Sequence, residues 1–226
     1  MKTYILPSLL AADFGNLRAG AVLAEQNGAD ELHLDIMDGN FVPNISMGPD
    51  VVQMATDAIS IPRNVHLMLS HPDEYIDKFA AAGATSIQIH VEAECDVKKT
   101  LQNINQRGLK SGITINPDTE ASAVFDYLPL VDEVLCMSVH PGYGGQSFMP
   151  NVLPKLKAIR QKADELGLKD LKIIVDGGIN GETAVKCAQM GANAFVAGTY
   201  LFKADDMAKE IEALRESTES EYGKGL

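Results

Sequence analysis

Short apolar segments alternate with longer amphipathic segments along most of the chain. Several of the short segments are apolar at almost every position, which is typical of strands buried on both faces of a parallel sheet. They recur in the order TYILPSL, ELHLDIM, NVHLML, SIQIHV, SGITIN, EVLCMSV, KIIVDG and AFVAG. This alternation predicts an α/β protein whose parallel strands are joined by helical crossovers.

The intervening segments carry apolar residues at helical spacing. The clearest cases are Leu17, Ala21 and Ala24, then Leu153, Leu156, Ile159 and Ala163, and finally Met207, Ile211 and Leu214. Helices often end at a glycine that adopts a left-handed backbone, and Gly167 is placed to end one of them. Three of the helix patterns end in a similar tag before the next strand, which is NGAD, AGAT or MGAN. We therefore expect short turns back into the sheet.

The number of strand–helix units indicates the fold class. About eight units in 226 residues fit a single (β/α)8 TIM barrel, which commonly forms one domain of this size. A doubly wound open sheet is the alternative. No linker or low-complexity segment divides the chain, so we predict one domain over residues 1–226. The polar segment at 217–226 is predicted to be a flexible tail.

Composition and charge disfavour two kinds of binding partner, nucleic acids and anionic membranes. The formal net charge is −12, which argues against nucleic acid or an anionic membrane, since both require clustered Lys and Arg. A phosphorylated ligand stays possible because backbone N–H groups bind phosphate locally. No apolar run reaches the roughly 18–20 residues of a membrane span. The three cysteines are far apart and form no CxxC, so we expect a reducing cytoplasm without a disulfide framework.

Polar residues interrupt the strand segments near their carboxyl ends, where barrels collect their chemistry. His33 and Asp35 are two residues apart in the second strand, so both point to the same face. His66 lies in the third strand and Asp176 ends the seventh. Two imidazoles and two carboxylates that converge there would suit one divalent ion such as Zn²⁺, Fe²⁺, Mn²⁺ or Co²⁺.

Simpler explanations exist for each of these residues. A lone histidine in an apolar strand is usually a core residue, and an aspartate at a strand end is often a cap. The pair of His33 and Asp35 is stronger evidence, because burying a charge without a partner is costly. The remaining histidines also lie near strand ends, and spacing alone does not choose between His66 and His71, His90 or His140.

Glycines follow the last three predicted strands. The phosphate site of such barrels usually lies after strands seven and eight, where glycines let backbone N–H groups approach an anion. The candidates there are Gly177, Gly178, Gly198 and Thr199. After the sixth strand, Gly144 and Gly145 could close over the ligand. We therefore predict a barrel of the phosphate-binding type.

Methionines fall near three of the strand ends, at Met37, Met68 and Met137. Methionine usually fills gaps in a core. The alternative is an apolar floor beside the site that keeps water from a reactive intermediate. The sequence leaves both interpretations open.

A set of motifs stands in order from about residue 3 to about residue 215: PSLLAADF, LHLDIMDGNFVPN, HLML, NP, HPGYGGQSF, VDGGIN and AGTYLF. Together they resemble the ribulose-phosphate 3-epimerase family. The resemblance implies a phosphate-binding (β/α)8 barrel that interconverts ribulose 5-phosphate and xylulose 5-phosphate by inverting C3. It also implies carbohydrate metabolism, such as the pentose phosphate pathway, and a homo-oligomer, either a dimer or a hexamer.

The resemblance also implies residue roles. One divalent metal ion is expected on His33, Asp35, His66 and Asp176, with the two aspartates as the acid–base pair. Substrate contacts are expected from Ser8, His66, Gly142, Tyr143, Gly144, Gly145, Gly177, Gly178, Gly198 and Thr199. Thr199 replaces the usual Ser, Tyr143 a usual Phe, and His140 an Asn or Glu. These departures bear on substrate preference rather than on the reaction type.

The expected mechanism is proton transfer between two bases through an enediolate, with the metal as Lewis acid. The nearest alternative is allulose 6-phosphate 3-epimerase, which needs the same site and a longer pocket. A phosphate-barrel decarboxylase is disfavoured, because Met37 occupies the position where that group typically carries Lys. A non-catalytic sugar-phosphate sensor is also disfavoured, since the chain has a candidate for every ligand and catalytic aspartate.

Overall fold

The computed structural model describes all 226 residues, and its centre is one parallel sheet of eight strands. From β2 to β8 each strand pairs with the next in sequence, and β8 pairs with β1. A parallel bridge between Ser8 and His33 closes the ring between the first two strands. The strands are β1 Tyr4–Pro7, β2 Leu32–Met37, β3 Arg63–Met68, β4 Ser86–His90, β5 Lys110–Ile115, β6 Glu133–Met137, β7 Lys172–Asp176 and β8 Ala194–Ala197.

Helices surround this barrel. They are α1 Leu17–Gln26, α2 Pro49–Ala58, α3 Ile76–Ala81, α4 Val97–Gln106, α5 Leu153–Glu165, α6 Gly181–Gln189, α7 Thr199–Phe202 and α8 Met207–Glu221. Between β5 and β6 the crossover is a 3₁₀ helix, Ala121–Leu130, and its Pro129 lacks the backbone N–H that an α-helix would use. None of the helices combines the length and the apolar character needed to span a membrane.

The predicted (β/α)8 barrel is confirmed, and each of the predicted strand segments overlaps one strand of the structure. The glycine tags also behave as expected. Gly28, Gly83 and Gly191 follow helices with φ of +86°, +91° and +91°, where an L side chain would be strained. At Gly83 a Cβ would also lie 2.4 Å from Thr56 Oγ1, so glycine is required there on two grounds.

The end of the chain differs from the expected flexible tail at 217–226. Helix α8 continues to Glu221, and Thr218 is completely buried with its hydroxyl 3.1 Å from that of Thr3. Beyond the helix, the N–H groups of Gly223 and Gly225 donate to carbonyls at the end of α6. Polar composition predicted a tail, but short polar side chains can pack when their hydroxyls find partners.

The inside of the barrel contains an apolar cluster and a buried ion cluster. Strands β6, β7, β8 and β1 contribute an apolar cluster that includes Leu6, Leu135 and Ile174. A buried ion cluster lies at the amino-terminal end of the barrel. There Lys172 contacts Glu31 and also lies 2.9 Å from Glu133 Oε1. The side chains of all three are at most 7% exposed.

Replacement of Lys172 by methionine should destabilise the fold by about 3–5 kcal/mol, because two buried carboxylates lose their common counter-charge. The measurement is the midpoint of urea unfolding. Lys186→Met is the matched control, since its ion pair with Glu182 is exposed and should matter little. An unchanged midpoint in Lys172→Met would contradict this assignment of the buried ion cluster.

Candidate active site

A cavity of about 500 Å³ opens at the carboxyl ends of the strands. The last residues of β2, β3, β6 and β7 reach it, and the loops after β6, β7 and β8 form its other wall. This is the end of a parallel barrel at which catalytic and ligand-binding groups collect.

Four titratable side chains meet at the floor of this cavity. Each of His33, Asp35, His66 and Asp176 offers one ligand atom, and these atoms lie within 4.8 Å of one another. Asp35 Oδ1 is 3.1 Å from both His33 Nε2 and His66 Nδ1. Strand register causes this arrangement, because Asp35 is paired with His66 across β2 and β3. Asp176 approaches from β7, with Oδ2 4.0 Å from His33 Nε2.

Neighbouring side chains hold two of these groups in place. The Ser8 hydroxyl donates to Asp35 Oδ2 at 2.6 Å. His33 Nδ1 lies 2.7 Å from Asn64 Oδ1, whose own amide nitrogen donates to Glu133 at 2.8 Å. Because the amide oxygen of Asn64 can only accept, His33 Nδ1 carries a proton. The other nitrogen, Nε2, is therefore the one available to a ligand.

The four groups have strongly perturbed pKa values. Burial lowers the pKa of His33, but the nearby Asp35 carboxylate more than offsets this and raises it to about 9. Burial raises the pKa of Asp35, but the charge of His33 and its contact with the carboxylate hold that pKa well below its usual range. Burial and the charge of Asp35 raise the pKa of Asp176 to about 7, whereas burial lowers that of His66 to about 4. The surroundings of the two carboxyls therefore shift their pKa values in opposite directions.

The donor set fits a divalent transition metal. Two imidazole nitrogens and two carboxylate oxygens are the ligands that Zn²⁺, Fe²⁺, Mn²⁺ and Co²⁺ accept, whereas Mg²⁺ and Ca²⁺ prefer oxygen alone. Because the proton on His33 Nδ1 is held by Asn64, Nε2 is the nitrogen that would ligate a metal ion in exchange for its own proton.

The opposite wall of the cavity is made of backbone. Gly177 and Gly178 follow β7 with φ of +122° and +64°. A Cβ at Gly178 would lie 2.4 Å from the backbone nitrogen of Phe148, so only glycine fits. Gly198 and Thr199 line the same wall at the start of α7. Backbone N–H groups in such glycine-rich turns are suited to an anion.

Two loops are joined across the mouth of the cavity. The amide of Asn44 donates to the carbonyl of Gly142 at 2.7 Å, and the Tyr143 hydroxyl donates to the carbonyl of Pro43 at 2.8 Å. These bonds connect the loop after β2 with the glycine-rich loop after β6. Gly144 and Gly145 line the cavity within that second loop.

The structure brings most of the predicted site residues together. Ser8, Asp35 and Asp176 line the cavity, as do all of the predicted glycines, Tyr143, Thr199, Met37, Met68 and Met137. His33 and His66 are completely buried behind Asp35, so His66 does not line the cavity itself. His71 and His140 lie outside the cluster with side chains 53% and 60% exposed.

Two supporting residues, Asn64 and Glu92, did not appear in the sequence prediction, and a third, His90, appeared only as an alternative to His66. Asn64 is two positions before His66 in β3, and Glu92 is two positions after His90. His90 was weighed only as a rival of His66, yet its Nε2 lies 2.8 Å from His66 Nε2. The two-residue period of a strand was a usable signal for Asn64, since it places Asn64 and His66 on one face.

Fold and site together define a (β/α)8-barrel protein with a histidine–aspartate centre at its mouth. The sequence pattern of the "Ribulose-phosphate 3 epimerase family" matches residues 4–202. A Bacillus subtilis ribulose-phosphate 3-epimerase is 44% identical over 213 residues, which cover 94% of this chain and 98% of that one. The Escherichia coli K12 enzyme is 42% identical, over 95% of this chain and 96% of its own. This chain belongs to the ribulose-phosphate 3-epimerase family, whose members are enzymes acting on carbohydrates.

Solved structures support the fold. A Vibrio cholerae 3-keto-L-gulonate-6-phosphate decarboxylase superposes with a TM-score of 0.71 over 98% of this chain and all of that one, at 13% identity. A Streptococcus mutans KGPDC superposes with a TM-score of 0.70 at 12% identity, covering 99% of this chain and all of its own. At such identities the likeness shows the barrel alone.

Proposed function

We propose that this chain is a metal-dependent epimerase that converts D-ribulose 5-phosphate into D-xylulose 5-phosphate by inverting C3. The observation that carries the proposal is the position of two carboxyl groups, Asp35 on β2 and Asp176 on β7, at the floor of a cavity with a glycine-rich opposite wall. Inversion needs a proton removed from one face of C3 and another returned on the opposite face. A pair of carboxyls from separate strands supplies both groups.

Each step of the reaction balances. One aspartate takes the C3 proton, and the C–H electron pair forms the C2–C3 double bond of an enediolate while the carbonyl oxygen gains negative charge. The other aspartate then donates its proton to the opposite face of C3, and the carbonyl re-forms. The two carboxyls finish with exchanged protonation states, and exchange with solvent restores them. This order of proton transfers requires that one aspartate begins ionised and the other begins protonated.

His33, Asp35, His66 and Asp176 would hold the metal ion. When bound, the ion supplies Lewis-acid stabilisation of the negative charge that develops on the substrate oxygens. The glycine-rich wall binds the phosphate through backbone N–H groups, which orients C3 between the carboxyls. Met37, Met68 and Met137 cover part of the floor with apolar surface that excludes water.

The second candidate is allulose 6-phosphate 3-epimerase, since the same carboxyl pair would invert C3 of a longer sugar phosphate. The test is turnover of both sugar phosphates by the metal-reconstituted protein. Faster turnover of ribulose 5-phosphate supports the proposal, whereas a preference for allulose 6-phosphate keeps the chemistry and changes the substrate. No turnover of either by folded, metal-loaded protein would favour a non-catalytic sugar-phosphate-binding protein.

Tyr143→Phe is expected to raise KM for the sugar phosphate about two- to tenfold with little change in kcat, because it removes one hydrogen bond between the two mouth loops. Steady-state kinetics measures both constants. Tyr75→Phe, at an exposed tyrosine that does not line the cavity, is the matched control. Equal KM values for Tyr143→Phe and the unaltered protein would show that the joined loops do not hold the ligand.

Two further properties stay predictions from the sequence and from its resemblance to the family. They are assembly into a homo-oligomer, either a dimer or a hexamer, and location in the cytoplasm.

A further inference from the structure

A line of close polar contacts leads from His66 to His90 and Glu92, which do not line the cavity. His66 Nε2 lies 2.8 Å from His90 Nε2, and His90 Nδ1 lies 3.2 Å from Glu92 Oε2. At the other end, His66 Nδ1 lies 3.1 Å from Asp35 Oδ1. Both imidazoles are completely buried, and the Phe41 ring packs against His90 at 4.6 Å between centroids. The line therefore runs from the Asp35 carboxylate to the Glu92 carboxylate through two imidazoles that are buried from solvent.

Counting protons along this line leaves one contact without a donor. It has three contacts, Asp35 to His66, His66 to His90 and His90 to Glu92. Each neutral imidazole supplies one N–H, and an ionised carboxylate supplies none. Two N–H groups cannot serve three contacts. One of the three contacts therefore has no N–H group of its own and is open to a cation.

The surroundings of Glu92 determine which contact lacks the proton. Glu92 Oε1 accepts from the Asn116 backbone N–H at 2.9 Å and from the Thr119 hydroxyl, so this carboxylate is held ionised. Its Oε2 then requires the proton of His90 Nδ1. His90 Nε2 is left bare and accepts from His66 Nε2. The bare nitrogen of His66 is Nδ1, which faces Asp35.

We propose that Glu92 and His90 are positioning residues that keep the proton off His66 Nδ1 and so reserve the contact between His66 and Asp35 for a divalent metal ion. This inference rests on the metal site of the proposed function and adds the residues that select the ligating nitrogen. A carboxylate–histidine support of this kind fixes the orientation of a metal ligand and raises its basicity. The other histidine differs, because His33 donates to the neutral amide of Asn64.

Glu92→Gln tests the proton count directly. The N–H of Asn116 requires an acceptor, so the introduced amide places its oxygen there and its NH₂ group toward His90 Nδ1. The NH₂ group then donates to His90 Nδ1, so the proton of His90 moves to Nε2. His90 Nε2 donates to His66 Nε2, and His66 Nδ1 donates to Asp35. All three contacts are satisfied without a metal ion, and the ligating nitrogen is blocked by a proton. Glu94→Gln is the matched control, since that side chain is 74% exposed and lies outside the line.

The measurement is Zn²⁺ affinity by competition with a chromophoric chelator, together with the melting temperature of the metal-free proteins. Glu92→Gln should bind Zn²⁺ about 10- to 100-fold more weakly and melt, without metal, at or above the temperature of the unaltered protein. Glu94→Gln should match the unaltered protein in both. A residue with a merely structural role would instead lower the melting temperature. Unchanged Zn²⁺ affinity in Glu92→Gln would overturn the inference.

Nitrogen-15 NMR of the histidine rings in the unaltered, zinc-loaded protein provides a second test that needs no variant. A proton on His90 Nδ1 and a bare His90 Nε2 support the inference, and a proton on His90 Nε2 overturns it. If the unaltered protein binds no Zn²⁺, the metal site itself fails. If it binds Zn²⁺ and only the predictions for Glu92 and His90 fail, the proposed function is unaffected.

Discussion

Asp176→Asn is expected to lower kcat for C3 epimerisation about 10²- to 10⁴-fold, because an amide cannot exchange a proton with carbon as a general acid or base does. Asp35→Asn should show a loss of similar size. Asp170→Asn is the matched control: it lies on the surface just before β7, at the opposite end of the strand from Asp176. Steady-state kinetics on metal-loaded proteins measures all three. Near-normal turnover by either site variant, with metal bound, would contradict the two-base mechanism.

The two variants should also differ in a qualitative way. Each retains one carboxyl, which can still remove and return the C3 proton on its own face without inversion. Each should therefore exchange the C3 hydrogen of only one of the two epimers with solvent, and the epimer should differ between Asp35→Asn and Asp176→Asn. Deuterium uptake from D₂O, followed by NMR, measures this. Exchange of the same epimer by both variants would place both carboxyls on one face of C3.

Removal of the metal ion is the second change with a large expected effect. Treatment with a chelator should lower kcat at least about 10³-fold, since Lewis-acid stabilisation of developing charge is worth several kcal/mol. Adding Zn²⁺, Mn²⁺, Co²⁺ or Fe²⁺ should restore turnover. Mg²⁺ should restore much less, because two of the four donors are imidazoles.

The control for chelation is the circular dichroism spectrum of the chelated protein, which should remain that of folded protein because the barrel is held by its own core and buried ion cluster. Metal content is measured on the same samples. Full turnover by protein that holds far less than one ion per chain would contradict a metal-dependent reaction.

The barrel could be predicted because its strands are buried on both faces and so have a continuous apolar pattern. All six residues of β2 are buried, and the polar His33 and Asp35 in that run were therefore conspicuous. Glycines after helices were equally informative, since Gly28, Gly83 and Gly191 adopt backbone angles that other residues avoid. These signals are local, and a sequence displays local signals directly.

Features that depend on distant contacts could not be predicted. His66 could be distinguished from His90 only by strand register, which places it beside Asp35. The bond between Asn44 and Gly142 joins positions 98 residues apart. Thr218 lies in a polar segment, but it is buried against Thr3 from the other end of the chain. In each case the partner decides the role of the residue, and the spacing along the sequence does not identify the partner.

The most direct test of the central claim is the fate of the C3 hydrogen during the first few per cent of reaction in D₂O. Metal-loaded protein is mixed with ribulose 5-phosphate, and NMR follows C3 of both epimers. A mechanism with two bases predicts that the xylulose 5-phosphate formed carries deuterium at C3, while the remaining ribulose 5-phosphate carries almost none. Product that retains the original C3 hydrogen would mean that one group removes and returns the same proton, which would contradict the roles proposed for Asp35 and Asp176.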